Sequence, residues 1–513
     1  MSLASLLLER ARRFPDKPAL IDGPSGRAYT YGQWAAAVRR AAAGLARRGF
    51  AKGDVLAIYS PNLPEYAIAF HAAALAGGIV TTVNPLYTVD ELAYQLRDSG
   101  AKHLIAAAPF LDKALAAARA VGLSRIYVFG EGEGAVPFAE LLADAADEPV
   151  PEPAIVPGED LVVLPYSSGT TGLPKGVMLT HRNLVANLLQ TAGALPEVGA
   201  DDTVVAVLPF FHIYGLVVVL NLGLYHGATL VTLPRFELES FLATLERYGV
   251  TFASVVPPIV LALAKHPAVD GHDLSKLRMI FSGAAPLGED LAEACASRLG
   301  CRVFQGYGLT ETSPVTHMAD PAQPKPGSVG LPLPNTECRI ADLESGATLD
   351  AGERGEVCIR GPQTMKGYLN RPDATAAMID GEGWLHTGDI GYVDADGHLF
   401  IVDRLKELIK FKGLQVAPAE LEAVLLTHPA IADAAVIPSP DEEAGEVPKA
   451  FVVLRDAAAA PEEILAFVAA RVAPYKRVRH LEVVEQIPKS ASGKILRRVL
   501  VERERARRAG GAG

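Results

Sequence analysis

Short apolar runs rich in β-branched residues alternate with Ala- and Leu-rich helical stretches along the chain as far as Gly330. Strands that alternate with helices indicate βαβ units and mostly parallel sheets. Helices are predicted over 65–76 and over the apolar stretch 215–224, the second of them buried. The pattern predicts strands at Val55–Ser60, Ile79–Val83, Leu161–Leu164, Thr203–Leu208, Thr229–Leu233, Phe252–Val256 and Met279–Phe281.

Beyond Gly330 the apolar runs are shorter and separated by turns, which is typical of a small β-barrel. From Glu420 onwards helix and strand patterns mix in a compact α+β segment. We find no internal repeat and no long low-complexity linker, so we expect a tight hinge near Asp403. The predicted fold is α/β, with a large N-terminal domain over 1–403, whose barrel-like part covers about 330–403, and a small C-terminal domain over 404–513. The small domain is predicted to contain helices at 420–426 and 462–472 and strands at 432–437, 450–454 and 481–484.

Length and composition agree with this picture. A chain of 513 residues is too long for one hydrophobic core, and 50% apolar with 21% charged residues indicates a soluble, globular protein. The net charge of −11 argues against a general nucleic-acid binder, which needs a basic face. The amphipathic N-terminal stretch is no secretory signal, and the apolar stretch 215–224 is too short to span a membrane. We expect a cytoplasmic monomer or homodimer.

The four cysteines, Cys295, Cys301, Cys338 and Cys358, form neither a CxxC pair nor a histidine-associated cluster in the sequence. They are too few for a disulfide scaffold of this size, which indicates a reducing compartment and no structural zinc. We expect them to act as small buried hydrophobic residues.

A run of hydroxyl residues and glycines follows the predicted strand Leu161–Leu164 and leads to Lys175. The backbone N–H groups of such a loop can wrap polyphosphate oxygens, and its hydroxyls and the lysine ammonium add donors. It is not the GxxxxGK[ST] motif, because Gly176 follows the lysine. A generic glycine-rich loop is often a solvated turn, but the full run Tyr166–Val177 is more specific. Phosphate contacts are predicted for Ser167, Ser168, Gly169, Thr170, Thr171, Gly172 and Lys175.

Together with further motifs in the same order, this run resembles the adenylate-forming superfamily. That superfamily includes acyl-CoA synthetases, 4-coumarate–CoA ligases, firefly-type luciferases and peptide-synthetase adenylation domains, and the resemblance is closest to bacterial and plant 4-coumarate–CoA ligases. It implies an enzyme that activates a carboxylic acid with ATP and Mg²⁺ as an acyl-adenylate and transfers the acyl group to coenzyme A. The motifs are PFFHIYG at 209–215, SGAAPLG at 282–288, QGYGLTET at 305–312, GWLHTGD at 383–389, the segment 402–422 and PKSASGKILRR at 488–498.

The resemblance assigns a role to most residues of these motifs. Glu311 would bind Mg²⁺ and Thr310 would hydrogen-bond the α-phosphate. Tyr307 would stack on adenine, and Asp389 would accept hydrogen bonds from the ribose hydroxyls. Other residues implied at the nucleotide are Ala284, Gln305, Gly306, Arg404 and Lys406, although a solvated surface position suits Lys406 equally well.

Two lysine sets are implied for two half-reactions. Lys494 would bridge the carboxylate of the acid and the α-phosphate, and the mobile small domain would then rotate to present the segment 410–413. Arg235 stands where a lysine is expected to hold coenzyme A, and either cation can pair with phosphate. His212 would border the acyl channel and move between the steps. The residues implied for the second step are Lys410, Lys412, Gly413, Gln415 and Arg235.

The acyl pocket implied by the resemblance is built from Ile213, Tyr214, Val218, Phe281, Gly283, Ala284, Gly306, Gly308, Pro314, Val315 and Met318. Gly283 and Gly306 leave room for a ring or chain to pass the backbone. Tyr214 offers a polar tip, whereas Val218 and Phe281 are bulkier or stiffer than expected for plant coumarate ligases. We expect a 4-coumarate or cinnamate-type acid, with a medium- or long-chain fatty acid as the alternative.

Three other classes of protein share parts of this pattern. A carrier-protein-loading enzyme would perform the same first step, but the basic positions for coenzyme A and the absence of an attached carrier domain argue against it. Light emission with a luciferin would identify a luciferase-type oxygenase. A non-enzymatic adenylate sensor is disfavoured because Lys494, Glu311 and Lys410 are all present.

Overall fold

A computed structural model describes residues 1–143, 145, 148–167, 174–412, 414–441, 444–455, 459–490 and 493–510. The first 167 residues alternate strands and helices as the apolar pattern predicts. Side-chain capping boxes begin α2 (Thr30 with Gln33) and α4 (Thr88 with Glu91), which satisfies free N–H groups at both helix starts. The elements are α1 (Leu3–Ala11), β1 (Pro18–Asp22), β2 (Ala28–Thr30), α2 (Tyr31–Arg47), β3 (Val55–Tyr59), α3 (Pro64–Leu75), β4 (Ile79–Val83), α4 (Val89–Asp98), β5 (Ala101–Ala107), α5 (Leu111–Val121), β6 (Arg125–Phe129), β7 (Val136–Pro137), α6 (Phe138–Ala143) and β8 (Leu161–Ser167).

The next part of the chain continues this alternation to residue 318. The apolar stretch predicted as a buried helix begins as a π-helix over Tyr214–Asn221. Gly215 permits this, because a Cβ at that position would lie 2.1 Å from the carbonyl oxygen of Pro209. The elements are β9 (Lys175–Thr180), α7 (His181–Ala194), β10 (Thr203–Ala206), α8 (Leu222–His226), β11 (Thr229–Thr232), α9 (Leu238–Arg247), β12 (Phe252–Val255), α10 (Pro257–Lys265), β13 (Met279–Ser282), α11 (Glu289–Leu299), β14 (Arg302–Gly308) and β15 (Val315–Met318).

Residues 331–404 form the part predicted as a small β-barrel. In it, β17, β18, β20 and β21 pair antiparallel in that order, and Gly330 bridges Leu399 beside the last strand. Asp389 on β20 lies directly opposite Arg404, the last residue of β21. The elements are β16 (Leu331–Pro332), β17 (Glu337–Ala341), β18 (Gly355–Arg360), β19 (Gly367–Tyr368), α12 (Pro372–Ala376), β20 (Leu385–Val393) and β21 (Leu399–Arg404).

The remaining residues form a separate small α+β domain. Its predicted helices and strands are present, but β24 and β25 extend beyond the predicted runs as a long hairpin, and the predicted helix 462–472 ends at Ala469. The elements are β22 (Ile409–Phe411), β23 (Leu414–Val416), α13 (Pro418–Thr427), β24 (Ile431–Asp441), β25 (Gly445–Leu454), α14 (Pro461–Ala469), β26 (His480–Val483) and α15 (Arg497–Gly510).

Two large sheets organise the N-terminal domain. Within the described residues, one has the order β19-β9-β8-β4-β3-β5-β6-β7 and the other β16-β15-β14-β13-β12-β10-β11-β1-β2. Their central strands are parallel, as predicted. Antiparallel strands stand at both edges of the second sheet and at the β19 edge of the first, whereas β7 at the other edge of the first is parallel. One continuous core joins both sheets, and α3 lies in it with buried residues on every side, as expected of a helix that is apolar all round. No helix in the described part of the chain is long and apolar enough to cross a bilayer.

The small domain contacts the large one at both ends of α10. The ammonium of Lys265 donates to the carbonyl oxygen of Leu426 at 2.9 Å. At the other end, Gly493 has a φ of +77°, and a Cβ there would lie 2.9 Å from Cγ2 of Val256. The turn that carries Lys494 is therefore seated closely on the large domain, where a side chain at 493 would not fit.

The predicted hinge residue Asp403 is buried near the end of β21. Its carboxylate accepts hydrogen bonds from the N–H of Arg404 at 2.7 Å and from the N–H of Ala419, in the first turn of α13, at 2.8 Å. Burial raises the pKa of Asp403, and the nearby charge of Arg497 opposes that shift. Asp403 thus ties the small domain's first helix to the connecting strand.

Candidate active site

A narrow cavity of about 40 Å³ lies between the carboxyl ends of β13 and β14 and the turn of the small domain that carries Lys494. Its lining combines polar side chains with aromatic and apolar ones. The lining residues are His212, Ile213, Tyr214, Phe281, Gly283, Ala284, Gly306, Tyr307, Gly308, Leu309, Thr310, Pro314, Val315 and Lys494. All of them except Leu309 were singled out from the sequence.

Tyr307, Asp389 and Arg404 form one connected group. The Tyr307 hydroxyl donates to Oδ2 of Asp389 at 2.6 Å, and Nε of Arg404 lies 3.3 Å from Oδ1. Burial raises the pKa of Asp389, while the Arg404 charge lowers it. The three residues predicted at adenine and ribose are therefore brought together, and both oxygens of the carboxylate face donors that a ribose hydroxyl could replace.

Glu311 is buried in the 3₁₀ turn Thr310–Thr312. Its Oε1 accepts hydrogen bonds from the hydroxyls of Ser167, at 2.9 Å, and Tyr368, at 2.8 Å. The ammonium of Lys175 lies 4.8 Å from the centre of the Tyr368 ring. A carboxylate beside Ser167, where the predicted phosphate-binding run begins, suits Mg²⁺, which prefers oxygen ligands and one or two carboxylates beside phosphate.

Tyr368 had no signal in the sequence. It is one of 15 tyrosines, and neither period nor neighbouring residue type distinguishes it. Its place beside Glu311 depends on the antiparallel pairing of β19 with β9, which brings Tyr368 opposite Val177.

His212 and Lys494 face the cavity from opposite domains. The N–H of Tyr214 donates to Nδ1 of His212 at 3.3 Å, so the proton of the neutral ring is on Nε2. Burial, together with the Lys494 charge, lowers the pKa of His212 to about 3. Burial also lowers the pKa of Lys494, followed by the charge of Arg404. The histidine is therefore neutral at pH 7, and burial disfavours the charged form of the lysine beside it.

Aromatic rings form the far wall of the cavity. Phe281 stacks on Phe304 with ring centres 5.1 Å apart and meets Tyr214 edge-on at 5.9 Å. The Tyr214 hydroxyl donates to the carbonyl oxygen of Phe281 at 3.0 Å. Its only proton is used there, so the phenol can serve a bound acid as an acceptor alone. Gly283 packs closely against this ring, since a Cβ there would lie 3.0 Å from Cε1 of Tyr214.

A residue of α7 holds Val315, where β15 begins directly after Pro314. Asn187 is fully buried, and its amide accepts from the N–H of Val315 at 3.0 Å and donates to the Val315 carbonyl at 2.6 Å. Thr312 donates to the Pro314 carbonyl at 2.6 Å. Asn187 was not predicted, because a polar residue in a helix gives no sign of the distant loop it holds.

Comparisons with known proteins agree with this geometry. A model of the AMP-binding enzymes matches residues 7–369, and a model of the AMP-binding enzyme C-terminal domain matches residues 420–494. The chain belongs to the AMP-binding enzyme family. Among relatives of this AMP-binding enzyme, 4-coumarate–CoA ligase 2 of Oryza sativa subsp. japonica is 48% identical over 96% of this chain and 90% of the relative. 4-Coumarate–CoA ligase 1 of Petroselinum crispum is 46% identical over 98% of this chain and 93% of the relative.

Solved structures similar to this AMP-binding enzyme contain bound nucleotides. The anthranilate CoA ligase AuaEII in complex with anthranoyl-AMP has a TM-score of 0.92 at 28% identity, covering 99% of this chain and 98% of that chain. ATP-bound MatB from Rhodopseudomonas palustris has a TM-score of 0.89 at 29% identity, covering 98% of this chain and 99% of that chain.

Gln305, Val218 and Met318, predicted beside the nucleotide or the acid, are among the predicted residues that do not line the cavity of this AMP-binding enzyme. The amide of Gln305 exchanges hydrogen bonds with the backbone of Leu287, at 3.3 and 3.4 Å, which turns it away. Val218 is buried in the π-helix and Met318 in β15, and both belong to the core. That these three side chains border the ligand stays a prediction.

The residues predicted for the second step lie at the surface. Lys410, Lys412 and Gln415 are exposed, on or beside the hairpin β22–β23. Lys406, predicted at the nucleotide or at a solvated surface, is exposed as well. Arg235 is also exposed and pairs with Glu237 at 2.5 Å. Six predicted residues fall outside the described part of the chain: Ser168, Gly169, Thr170, Thr171, Gly172 and Gly413.

The sequence suggested no cluster of cysteine with histidine, but folding creates one. Sγ of Cys358 lies 3.6 Å from Nδ1 of His386, and Oε2 of Glu356 lies 2.8 Å from the same nitrogen. The other oxygen of Glu356 accepts from the N–H of Gly388 at 3.0 Å. The polar groups of Cys358, His386 and Glu356 are thus paired with one another. Glu356 also holds the irregular segment of β20 that precedes Asp389. All four cysteines are free.

Proposed function

We propose that this protein is an AMP-forming acid–CoA ligase for 4-coumarate or cinnamate-type acids. It forms an acyl-adenylate from ATP and the acid and then an acyl-CoA thioester. One observation carries the proposal: Lys494, from the small domain, stands in the same cavity as Thr310 and His212 of the large domain. The ammonium group of Lys494 is thereby brought into the cavity that Thr310 and the aromatic side chains also line.

The chemistry of the cavity suits acid activation. A carboxylate resists nucleophiles because of its charge, and transfer to AMP removes that charge while pyrophosphate leaves. Lys494 can neutralise the carboxylate and the α-phosphate as they approach, and a preorganised cation in a water-poor site does this most effectively. Mg²⁺ held by Glu311 would neutralise phosphate charge. Thr310 would donate a hydrogen bond to the α-phosphate, and Asp389 would orient the ribose.

The aromatic wall favours a planar acid over a long chain. Phe281 is supported from behind by Phe304 in the core, so a medium- or long-chain fatty acid would have to displace packed rings. The relatives of nearly half identical sequence are named as 4-coumarate–CoA ligases. We therefore place aryl-propenoic acids before the fatty-acid alternative.

Rotation of the small domain about the segment near Asp403 would complete the reaction. In the present arrangement Lys494 reaches the cavity, while Lys410, Lys412 and Gln415 are exposed. This arrangement fits adenylate formation, and a second one would bring the hairpin towards the acyl-adenylate. Arg235 would then pair with a phosphate of coenzyme A in place of Glu237.

A substrate panel tests the function. Cinnamate, 4-coumarate, benzoate and fatty acids of medium and long chain are each assayed for AMP release with and without coenzyme A. We expect the highest kcat/KM for an aryl-propenoate and AMP release that depends on coenzyme A. A fatty acid that is better by about tenfold, or roughly 1.4 kcal/mol in transition-state binding, would overturn the substrate assignment. No acid-dependent pyrophosphate exchange with any member of the panel would overturn the reaction itself.

The four free cysteines support a reducing, cytoplasmic location. Three of them are buried, and burial raises the pKa of each thiol, so they are inert. Fractionation of the cells that produce the enzyme tests this location.

A further inference from the structure

Tyr368 joins the two charged residues at the phosphate end of the site. Its hydroxyl donates to Oε1 of Glu311 at 2.8 Å, and its ring lies under the ammonium of Lys175 at 4.8 Å. An anion and a cation that both serve phosphate are thus held by one neutral side chain. The hydroxyl acts on one of them and the aromatic face on the other.

The hydrogen bonds to Glu311 are unequally distributed between its oxygens. The hydroxyls of Tyr368 and Ser167 both donate to Oε1, and among the described residues these are the side-chain bonds that the carboxylate makes. Two donors on one oxygen fix the rotation of the carboxyl plane. They leave Oε2 as the oxygen that a hard cation would take.

Tyr368 is itself rigidly placed. It is 6% exposed, its N–H donates to Oγ1 of Thr375 at 2.9 Å, and β19 pairs with β9 directly after Lys175. A phenol keeps its proton near neutral pH, so the hydroxyl remains a donor. A fixed neutral donor can orient a carboxylate without competing with it for the metal ion.

We propose that Tyr368 is a positioning residue for the metal-dependent step: its hydroxyl orients Glu311 towards Mg²⁺ and its ring orients Lys175 towards the phosphates. The inference rests on the proposed function, in which Glu311 is the metal-binding carboxylate. The two contacts of Tyr368 have different roles: the hydroxyl acts on the metal ion through Glu311, and the ring acts on the nucleotide through Lys175.

Two substitutions distinguish the contacts. Tyr368→Phe keeps the ring under Lys175 and removes the hydroxyl, whereas Tyr368→Leu removes both. The affinity of the full-length enzyme for ATP is measured by calorimetry with Mg²⁺ and with a chelator, and the affinity for AMP is measured with a chelator. We expect Tyr368→Phe to reduce the gain in ATP affinity from Mg²⁺ by roughly three- to tenfold and to leave AMP binding unchanged. Tyr368→Leu should also weaken metal-free ATP binding.

Matched variants control for loss of folding and of a tyrosine hydroxyl. Tyr248→Phe removes a hydroxyl that donates to the carbonyl of Gly23 at 3.0 Å, and it should change neither quantity. Ser167→Ala removes the other bond to Oε1 and should repeat the effect of Tyr368→Phe, which keeps the test open if that variant does not fold. An unchanged Mg²⁺ gain in both variants, or an equal loss of AMP binding, would overturn the proposal. The binding measurement needs no acid, so it tests the role of Tyr368 even if the proposed reaction is wrong. The substrate panel tests the reaction separately.

Discussion

A single methyl group at Gly306 tests how the acyl cavity is shaped. A Cβ there would lie 2.8 Å from Cζ of Phe281 and 2.9 Å from the carbonyl oxygen of His317. The carbonyl belongs to β15, next to β14 in the sheet, so it cannot yield. The Phe281 ring must move, but Phe304 supports it on the core side. We therefore expect Gly306→Ala to push the ring towards the cavity.

The cost follows from packing. Overfilling a well-packed site typically costs about 1–3 kcal/mol, which corresponds to roughly a five- to 150-fold loss of kcat/KM where it falls on bound acid. The loss should be larger for acids with ring substituents than for plain cinnamate, because the cavity narrows at the aromatic wall. Steady-state kcat/KM for cinnamate, 4-coumarate and a methoxylated derivative measures the difference.

Two further variants make the test selective. Gly193→Ala, on α7, adds a Cβ that meets no atom within 4 Å, and it should leave all three acids unaffected. Phe281→Leu combined with Gly306→Ala should restore the substituted acids, since the shorter side chain relieves the contact. Equal losses for all acids, without recovery in the double variant, would show that Gly306 acts on the nucleotide or the sheet and not on acyl space.

Three other predictions test charged residues of the small domain. Lys494→Ala should slow pyrophosphate exchange by about a hundred- to a thousandfold, or ~3–4 kcal/mol, and convert supplied acyl-adenylate to thioester at near the normal rate; loss of both steps would contradict domain rotation. Lys410→Ala should show the reverse pattern in the same two assays. Burial raises the pKa of Glu422 to about 7 against the charge of Arg497, so its proton stabilises the fold at low pH, and that contribution is lost as the pH rises through about 7. The Tm of Glu422→Gln relative to the unsubstituted protein should therefore increase between about pH 5 and pH 8, and a constant difference would refute the argument.

Much of the site could be predicted because its residues stand in contiguous motifs at the ends of strands. The apolar runs predicted β3, β10 and β13 closely, since buried parallel strands need uninterrupted apolar residues. Motif order then identified Thr310, Glu311 and Lys494. The sequence failed where position depends on distant partners: Tyr368 reaches Glu311 only through the β9–β19 pairing, and Asn187 holds Val315 across more than a hundred residues of chain. The motif also gave the location of Gln305 but not the direction of its side chain, whose amide bonds the backbone of Leu287.

The register of one strand pair has a consequence for the timing of product release. Asp389 lies directly opposite Arg404, and Arg404 is the last residue of β21 before the chain enters the small domain. A rotation that begins at this point must also alter the ion pair between Arg404 and Asp389, the carboxylate proposed to hold the ribose. Nucleotide affinity and domain orientation are then thermodynamically coupled, and by reciprocity each must change the other by the same factor. An orientation that loosens the Arg404 contact would weaken AMP binding by the same factor by which bound AMP disfavours that orientation. Release of AMP and return of the domain would therefore be coupled in one equilibrium.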